Sequence, residues 1–110
     1  MVITFDIPRQ VFTRPMNYFG PKIRELREKH GLLLREVAAH IGADTAIISK
    51  IERGERNATR PQVIALAEIL QTNVEDLLTL WMADKFETLI LQEPEAAYSA
   101  MKMVHKHRRK

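Results

Sequence analysis

Residues 32–54, LLLREVAAHIGADTAIISKIERG, contain the feature that most constrains the fold of this chain. Two segments with the apolar spacing of short helices, 34–41 and 45–53, are separated by only the three residues 42–44. A connection this short makes the two helices meet at a steep angle. The stretch therefore predicts a tightly paired unit of two helices, in which Asp44 is placed to cap the second one.

Each helix of this pair has one apolar face, on which the inward residues are expected to be Val37, Ile41, Ile48 and Ile51. The small side chains of Ala38 and Ala39 would let the helices cross closely. This is a helix-turn-helix pattern, whose second helix can lie in the major groove of DNA while the first crosses the backbone.

The rest of the chain predicts further helices between short breaks. Helices are expected over 20–30, 60–70, 74–91 and 94–106, with prolines in first turns and glycines at ends. Residues 1–19 carry only a brief apolar alternation, which leaves an edge strand, an arm or a leader open. No strand pattern follows residue 20, so the predicted fold class is all-α.

A resemblance to a known family becomes specific over residues 18–80. The matching residues are Ile23, Leu26-Arg27, Gly31-Leu32, Glu36-Val37-Ala38, Ile41-Gly42, Ile48-Ser49-Lys50-Ile51-Glu52-Arg53-Gly54, Pro61, Leu66-Ala67, Leu70 and Asn73-Val74-Glu75-Asp76-Leu77-Leu78. This pattern resembles the Cro/XRE-type helix-turn-helix family of phage repressors and bacterial regulators. The resemblance implies a five-helix repressor-like DNA-binding domain at 17–80, preceded by a leader or arm at 1–16 and followed by a C-terminal helical extension with a basic tail at 81–110.

By this resemblance, the helix that begins at Thr45 is the recognition helix. Lys50 could donate to guanine O6 or N7, and the small or apolar side chains could meet thymine methyl groups. A solvated or phosphate-bound Lys50 and a partly core-buried Ile47 remain alternatives. The residues expected to contact base edges are Thr45, Ala46, Ile47, Ser49 and Lys50.

Phosphate contacts are implied for the start of the preceding helix and for the loop that follows the recognition helix. Between Lys50 and Arg60 there are four positive and two negative side chains, whereas Glu75–Glu95 holds six negative and one positive. A basic loop opposite an acidic flank suits an anion at one face, although the loop charges could also be merely solvated. The expected phosphate contacts are Arg35, Arg53, Arg56, Asn57, Thr59 and Arg60.

Two positions need a separate interpretation. The family usually begins the helix before the recognition helix with a polar cap, and this chain has Leu33 and Leu34 there, so we expect a weakened cap and one exposed leucine. The resemblance also implies a partly buried structural salt bridge between Arg27 and Glu52, whose role is architectural.

Beyond the domain, apolar residues recur at helical spacing on both sides of Pro94. The two helices could form a hairpin that folds back on the domain, or one that packs on a second subunit. A homodimer would place two recognition helices one DNA turn apart. The residues expected at such a dimer interface are Trp81, Met82, Phe86, Leu89, Met101 and Val104.

Other functional classes find little support. The chain has no cysteine, its four histidines lack ligand-like spacing, and no phosphate loop or hydrolase motif occurs, so we expect no enzyme activity, metal or cofactor. No apolar run suggests a membrane span or a signal peptide, which predicts a cytoplasmic protein. The expected function is a sequence-specific double-stranded DNA-binding transcriptional regulator, presumed a repressor, acting as a homodimer on a pseudo-palindromic operator. The alternative is a protein-interaction module, or a component of a toxin–antitoxin or restriction–modification system, with weak or lost DNA readout.

Overall fold

Six α-helices form the part of the chain that the structure, a computed structural model, describes, namely residues 17–109. Within that part there is no strand, which confirms the predicted all-α class. The predicted leader or arm at 1–16 and the final Lys110 lie outside the described residues. The helices are α1 Phe19–Lys29, α2 Leu34–Ile41, α3 Thr45–Glu52, α4 Arg60–Ile69, α5 Val74–Gln92 and α6 Pro94–Arg108.

The end of α3 is set by its backbone. Gly54 adopts a left-handed φ of 76° and donates from its N–H to the Ile51 carbonyl at 3.1 Å. The next amide, that of Glu55, donates to the Lys50 carbonyl at 2.9 Å, which completes a Schellman motif. The end of α4 uses the same pair of bonds, but there Gln71 takes the left-handed position with a φ of 52°.

The helix starts show which predicted caps form. Thr59 caps α4, because its Oγ1 accepts from the Gln62 N–H at 3.3 Å while Gln62 Oε1 accepts from the Thr59 N–H at 2.9 Å. Asp44 occupies the N-cap position of α3, but its side chain makes no hydrogen bond to that helix. Asp44 therefore occupies the predicted position, but its side chain does not form the expected capping hydrogen bond.

The core consists of apolar side chains from α1 to the first turn of α5. Val37, Ile48 and Ile51 are buried as predicted, whereas Ile41 is only half-buried. Ala38 is buried in the core, but Ala39 is exposed, so the expectation that both would lie at the helix crossing is wrong for Ala39. Successive helical residues point about 100° apart, so a narrow crossing accommodates only one of the two.

The first turn of α1 packs directly on the end of α3. A Cβ on Gly20 would lie 2.5 Å from the Ile51 carbonyl oxygen and 2.6 Å from that of Glu52, so only glycine fits there. The start of α1 is also held from α5, since Asp84 Oδ1 accepts from the Tyr18 N–H at 2.7 Å. The Gly20 contact fastens α1 to α3, which carries the predicted DNA-reading residues, and the Asp84 bond fastens α1 to α5.

The contacts within the chain define two units, one of them Asn17–Asp84 and the other containing the described residues from Lys85 onward. In the second unit, the end of α5 and α6 enclose a largely apolar groove of about 690 Å³, whose apolar lining includes Phe86, Leu89, Met101 and Val104. No helix among residues 17–109 is long and apolar enough to cross a membrane. The boundaries predicted for the leader, the DNA-binding domain and the C-terminal extension stay predictions.

Candidate nucleic-acid interface

The outer face of α3, defined by Thr45, Ala46, Ser49 and Lys50, is directed away from the core. Thr45, Ala46 and Lys50 are exposed, and Ser49 is half-buried. Ile47 is half-buried and packs against the core, so part of its side chain supports the fold. The opposite face carries the buried Ile48 and Ile51. This short helix therefore presents a polar, sterically open ridge on a firmly packed base.

An ion pair beneath α3 ties it to α1. Arg27 Nε donates to Glu52 Oε2 at 2.7 Å and Arg27 Nη2 donates to Oε1 at 3.2 Å. A third bond runs from Arg27 Nη1 to the Leu32 carbonyl at 3.0 Å, ahead of α2. The side chains of Arg27 and Glu52 are only 14% and 6% exposed. One guanidinium thus joins α1, the α1–α2 turn and α3, and its hydrogen bond with Glu52 raises the pKa of Arg27 further.

The loop after α3 begins with a side-chain cluster that sequence reasoning did not foresee. Arg53 Nε and Nη2 donate to Glu55 Oε2 and Oε1 at 2.8 and 3.2 Å. Arg53 Nη1 donates to Ser49 Oγ at 2.6 Å. The hydrogen bonds between these two side chains lower the pKa of the Glu55 carboxyl and raise the pKa of Arg53. Two residues expected to face DNA, Ser49 and Arg53, are therefore joined to each other and to a carboxylate.

The remaining loop residues expected at phosphates are all exposed. Arg56 and Asn57 lie in the loop itself, while Thr59 and Arg60 lie at the start of α4. The capping box uses the Thr59 and Gln62 amides, and Pro61 has none, so the first turn of α4 offers few free N–H groups to an anion. Its contribution to an anion would come mainly from the side chains.

The start of α2 differs from the family pattern in the way the sequence suggests. Leu33 occupies the N-cap position and is 47% exposed, whereas Leu34 is half-buried against the core. Glu36 supplies half of a capping box, because its Oε1 accepts from the Leu33 N–H at 2.8 Å. Arg35 is exposed beside them. In the sequence, this cap is indicated by Glu36, which lies three residues after the cap position at Leu33.

The residues expected at a dimer interface separate into two groups. Trp81 belongs to the first unit, where it packs against the core and its indole N–H donates to the Ala58 carbonyl at 2.8 Å. Trp81 therefore helps to stabilise the first unit. Its position at the predicted start of the C-terminal extension did not indicate this contact. The others are exposed or half-buried, namely Met82, Phe86, Leu89, Met101 and Val104.

Among residues 17–109, no three His, Asp or Glu side chains lie close enough together to hold a metal ion. His40 instead forms a 2.9 Å contact between its Nε2 and Glu68 Oε1, which joins α2 to α4. The exposed outer face of α3 and the cations around it are thus the chemically distinctive surface of the first unit.

Comparisons with known proteins agree with this geometry. The family model described as "Helix-turn-helix", HTH_3, matches residues 23–77, which is half of the chain. Two Bacillus subtilis proteins, the HTH-type transcriptional repressor RghR and the uncharacterized HTH-type transcriptional regulator RghRB, are each 39% identical over 64 residues, or 57% of this chain. The matched region spans 47% of RghR and 46% of RghRB, so the chain covers about half the length of these relatives.

Two solved structures share the fold. The restriction-modification controller protein C.AhdI from Aeromonas hydrophila is 33% identical, with a TM-score of 0.52 over 56% of this chain and 92% of its own. An addiction module antidote protein of a HigA family from Coxiella burnetii gives a TM-score of 0.61 over 79% of this chain and 95% of its own. Its 21% identity makes that a likeness of fold alone.

Proposed function

The chain belongs to the helix-turn-helix family, and from that premise we propose that it is a sequence-specific double-stranded DNA-binding transcriptional regulator that represses as a homodimer. The observation that carries this proposal is the outer face of α3. Thr45, Ala46 and Lys50 are exposed on a short helix whose other face is buried. Such a helix can enter the major groove without disturbing the core.

Base readout would come from few hydrogen bonds. Lys50 supplies the one positive charge of the outer face and can donate to guanine O6 or N7. Thr45 can donate or accept, and Ala46 offers a methyl group to thymine. Because this set is small, groove shape would contribute to sequence preference as well.

The flanking residues Arg35, Arg53, Arg56, Asn57, Thr59 and Arg60 would hold the phosphates on either side of the groove. Their exposure supports this role. Phosphate contacts fix the register of a protein on the duplex but carry no sequence information directly. Binding should therefore weaken steeply with salt.

A homodimer is supported by the second unit. Phe86, Leu89 and Val104 are 45%, 53% and 58% exposed around the apolar groove. The same surface of a second copy would cover these side chains in a two-fold arrangement. Two copies would then read a pseudo-palindromic operator, and one module alone would have a small footprint. The likeness to the HTH-type transcriptional repressor RghR supports the repressor assignment.

Selection of bound sites from random duplexes, followed by mobility shifts on the selected duplex, tests the proposal. Lys50→Ala should reduce discrimination at one base pair by about 1–3 kcal/mol. Arg56→Ala should instead weaken binding on all sequences and reduce the salt slope by about 0.9 per subunit, or about 1.8 for the homodimer. Lys29→Ala, an exposed lysine at the end of α1, is the control with the same change of charge. Absence of binding at low salt, or equal effects of all three changes, would refute the proposal.

A protein-interaction module is the second candidate, and the exposed Leu33 favours it. A leucine that is 47% exposed at the start of α2 occupies a position where the resemblance leads us to expect a polar cap. If the chain is such a module without DNA readout, the wild-type protein should not bind DNA even at low salt. Leu33→Ser should then abolish binding to the protein partner. Failure of the selection experiment together with that result would favour this candidate.

A further inference from the structure

Resting on the proposed function, we propose that Glu55 is an internal competitor of DNA phosphate for Arg53 and so limits how tightly the loop after α3 grips any duplex. The pair described above occupies the first turn of that loop, directly beside the outer face of α3.

The backbone holds the carboxylate in place. Glu55 is the residue whose N–H completes the Schellman motif through the Lys50 carbonyl at 2.9 Å. Gly54, with a φ of 76°, brings the chain back toward the last turn of α3. Glu55 therefore approaches Arg53 because the helix ends in this way, and the pairing does not depend on a flexible loop.

The guanidinium already has partners along one edge. Its Nε and Nη2 donate to the two oxygens of Glu55 at 2.8 and 3.2 Å, and its Nη1 donates to Ser49 Oγ at 2.6 Å. A phosphate that binds bidentately through Nε and Nη2 needs the edge that the carboxylate occupies. Carboxylate and phosphate are thus alternative partners of the same donors.

Exposure makes the exchange of partners feasible. The side chains of Arg53 and Glu55 are 53% and 55% exposed, so water weakens their pairing and a phosphate can approach. Displaced or not, the Glu55 carboxylate stays near the incoming phosphate and repels it. Arg53 lowers the pKa of this carboxyl, so the repelling charge is present at neutral pH.

The consequence concerns overall affinity. Phosphate contacts act on every duplex, whereas base contacts act only on the correct one. A carboxylate that weakens one phosphate contact therefore lowers the affinity for all duplexes by the same factor. Glu55 would thereby limit how tightly the protein binds DNA, while the ratio between specific and non-specific binding stays the same.

The test compares the wild-type chain with Glu55→Gln on a random-sequence duplex of about 25 base pairs, titrated between about 50 and 200 mM salt. Glutamine keeps the size of the side chain but removes the charge and the second acceptor. Unscreened Coulomb repulsion between single charges about 6 Å apart in water corresponds to about a threefold gain in affinity per subunit, and added salt reduces this gain. A released Arg53 that gains one phosphate should also steepen the salt slope by about 0.9 per subunit, or about 1.8 for a homodimer.

Two matched variants isolate the mechanism. Glu25→Gln makes the same change of charge in an exposed lysine–glutamate pair on α1, where Lys22 Nζ lies 3.2 Å from Glu25 Oε2. It should leave the salt slope unchanged. Arg53→Ala combined with Glu55→Gln should lose the steeper slope, because the released guanidinium is no longer there. Melting temperatures check that every variant is folded.

The outcomes separate this inference from the proposed function. If wild type binds no duplex at low salt, the proposed function fails. If wild type binds but Glu55→Gln behaves like Glu25→Gln, only the competitor role fails. A loss of affinity in Glu55→Gln would mean that the carboxylate positions Arg53 for DNA, which also overturns the inference.

Discussion

Replacing Glu52 with alanine tests whether the ion pair beneath α3 holds the domain together. The change removes the hydrogen bonds that Arg27 Nε and Nη2 make at 2.7 and 3.2 Å. The guanidinium left behind is 14% exposed and has little access to water. The destabilisation therefore comes mostly from a charged group that stays buried after its partner is lost.

The magnitude follows from the bonds that remain. Hydrogen bonds to charged groups contribute about 1.5–3 kcal/mol each, so two give an upper limit of about 6. Arg27 keeps its bond to the Leu32 carbonyl at 3.0 Å and some contact with solvent. The expected loss in the free energy of unfolding is therefore about 3 kcal/mol. For a domain of this size, each kcal/mol lowers the melting temperature by about 4–8 °C, so a fall of about 12–24 °C is expected.

The sign of the pH dependence is also defined. Glu52 raises the pKa of Arg27, so the contribution of the guanidinium is fully present below its ordinary pKa and is lost only at strongly alkaline pH. The stability deficit of the alanine variant should therefore be the same across the neutral range. Thermal unfolding followed by circular dichroism at several neutral pH values measures it.

The chain contains a matched control. Glu55 pairs with Arg53 through bonds of 2.8 and 3.2 Å, almost the same geometry as the Arg27–Glu52 pair, but its side chain is 55% exposed. Glu55→Ala should barely change the melting temperature. Equal shifts for the two alanine variants would refute the reasoning from burial. Arg27→Met combined with Glu52→Leu should recover much of the loss, since neither partner is then left unpaired.

Three further changes probe other parts of the structure. Gly20→Ala should lower stability by about 1–3 kcal/mol, because its Cβ would overlap two carbonyl oxygens of α3; unchanged denaturant unfolding would contradict this contact. Leu33→Ser should raise stability by about 1 kcal/mol by capping α2, and a melting temperature at or below wild type would argue against it. Phe86→Glu with Leu89→Glu should give monomers in ultracentrifugation while the exposed control Ser99→Glu stays dimeric; dimers in both would place the interface elsewhere.

Local signals account for the accuracy of the helix predictions. The bounds of α2 agree with the sequence-based prediction, and α6 extends two residues beyond it, to Arg108. Glycines and the Thr59 cap act within a few residues, so their effect can be inferred before any tertiary contact is known. The Cro/XRE-type resemblance then supplied the order of the helices, which periodicity alone does not determine.

Long-range contacts account for what was missed. Asp84 meets the start of α1 across 66 positions of sequence, and the Trp81 indole reaches Ala58 across 23. The sequence spacing of these residues does not indicate their partners, because both contacts depend on how α5 packs against the rest of the first unit. The placement of Ala39 was wrong for a related reason, since the packing of two helices decides which neighbour faces inward.

The candidate site was predictable in residue type and only partly in arrangement. The exposure of Lys50 and Arg56 follows from helical periodicity and charge. The engagement of Arg53 by Glu55 does not, because it depends on the backbone path after Gly54. An arginine and a glutamate on either side of a helix-ending glycine are the sequence signal that could have revealed it.

The contact of Gly20 with the last carbonyls of α3 has a consequence for altering this protein. That contact joins backbone to backbone, and Ile48 and Ile51 anchor the same helix from below. The residues at Thr45, Ala46 and Lys50 take no part in either attachment. Under the proposed function, replacing these three side chains should change which DNA sequence is preferred, while the packing of α3 stays the same.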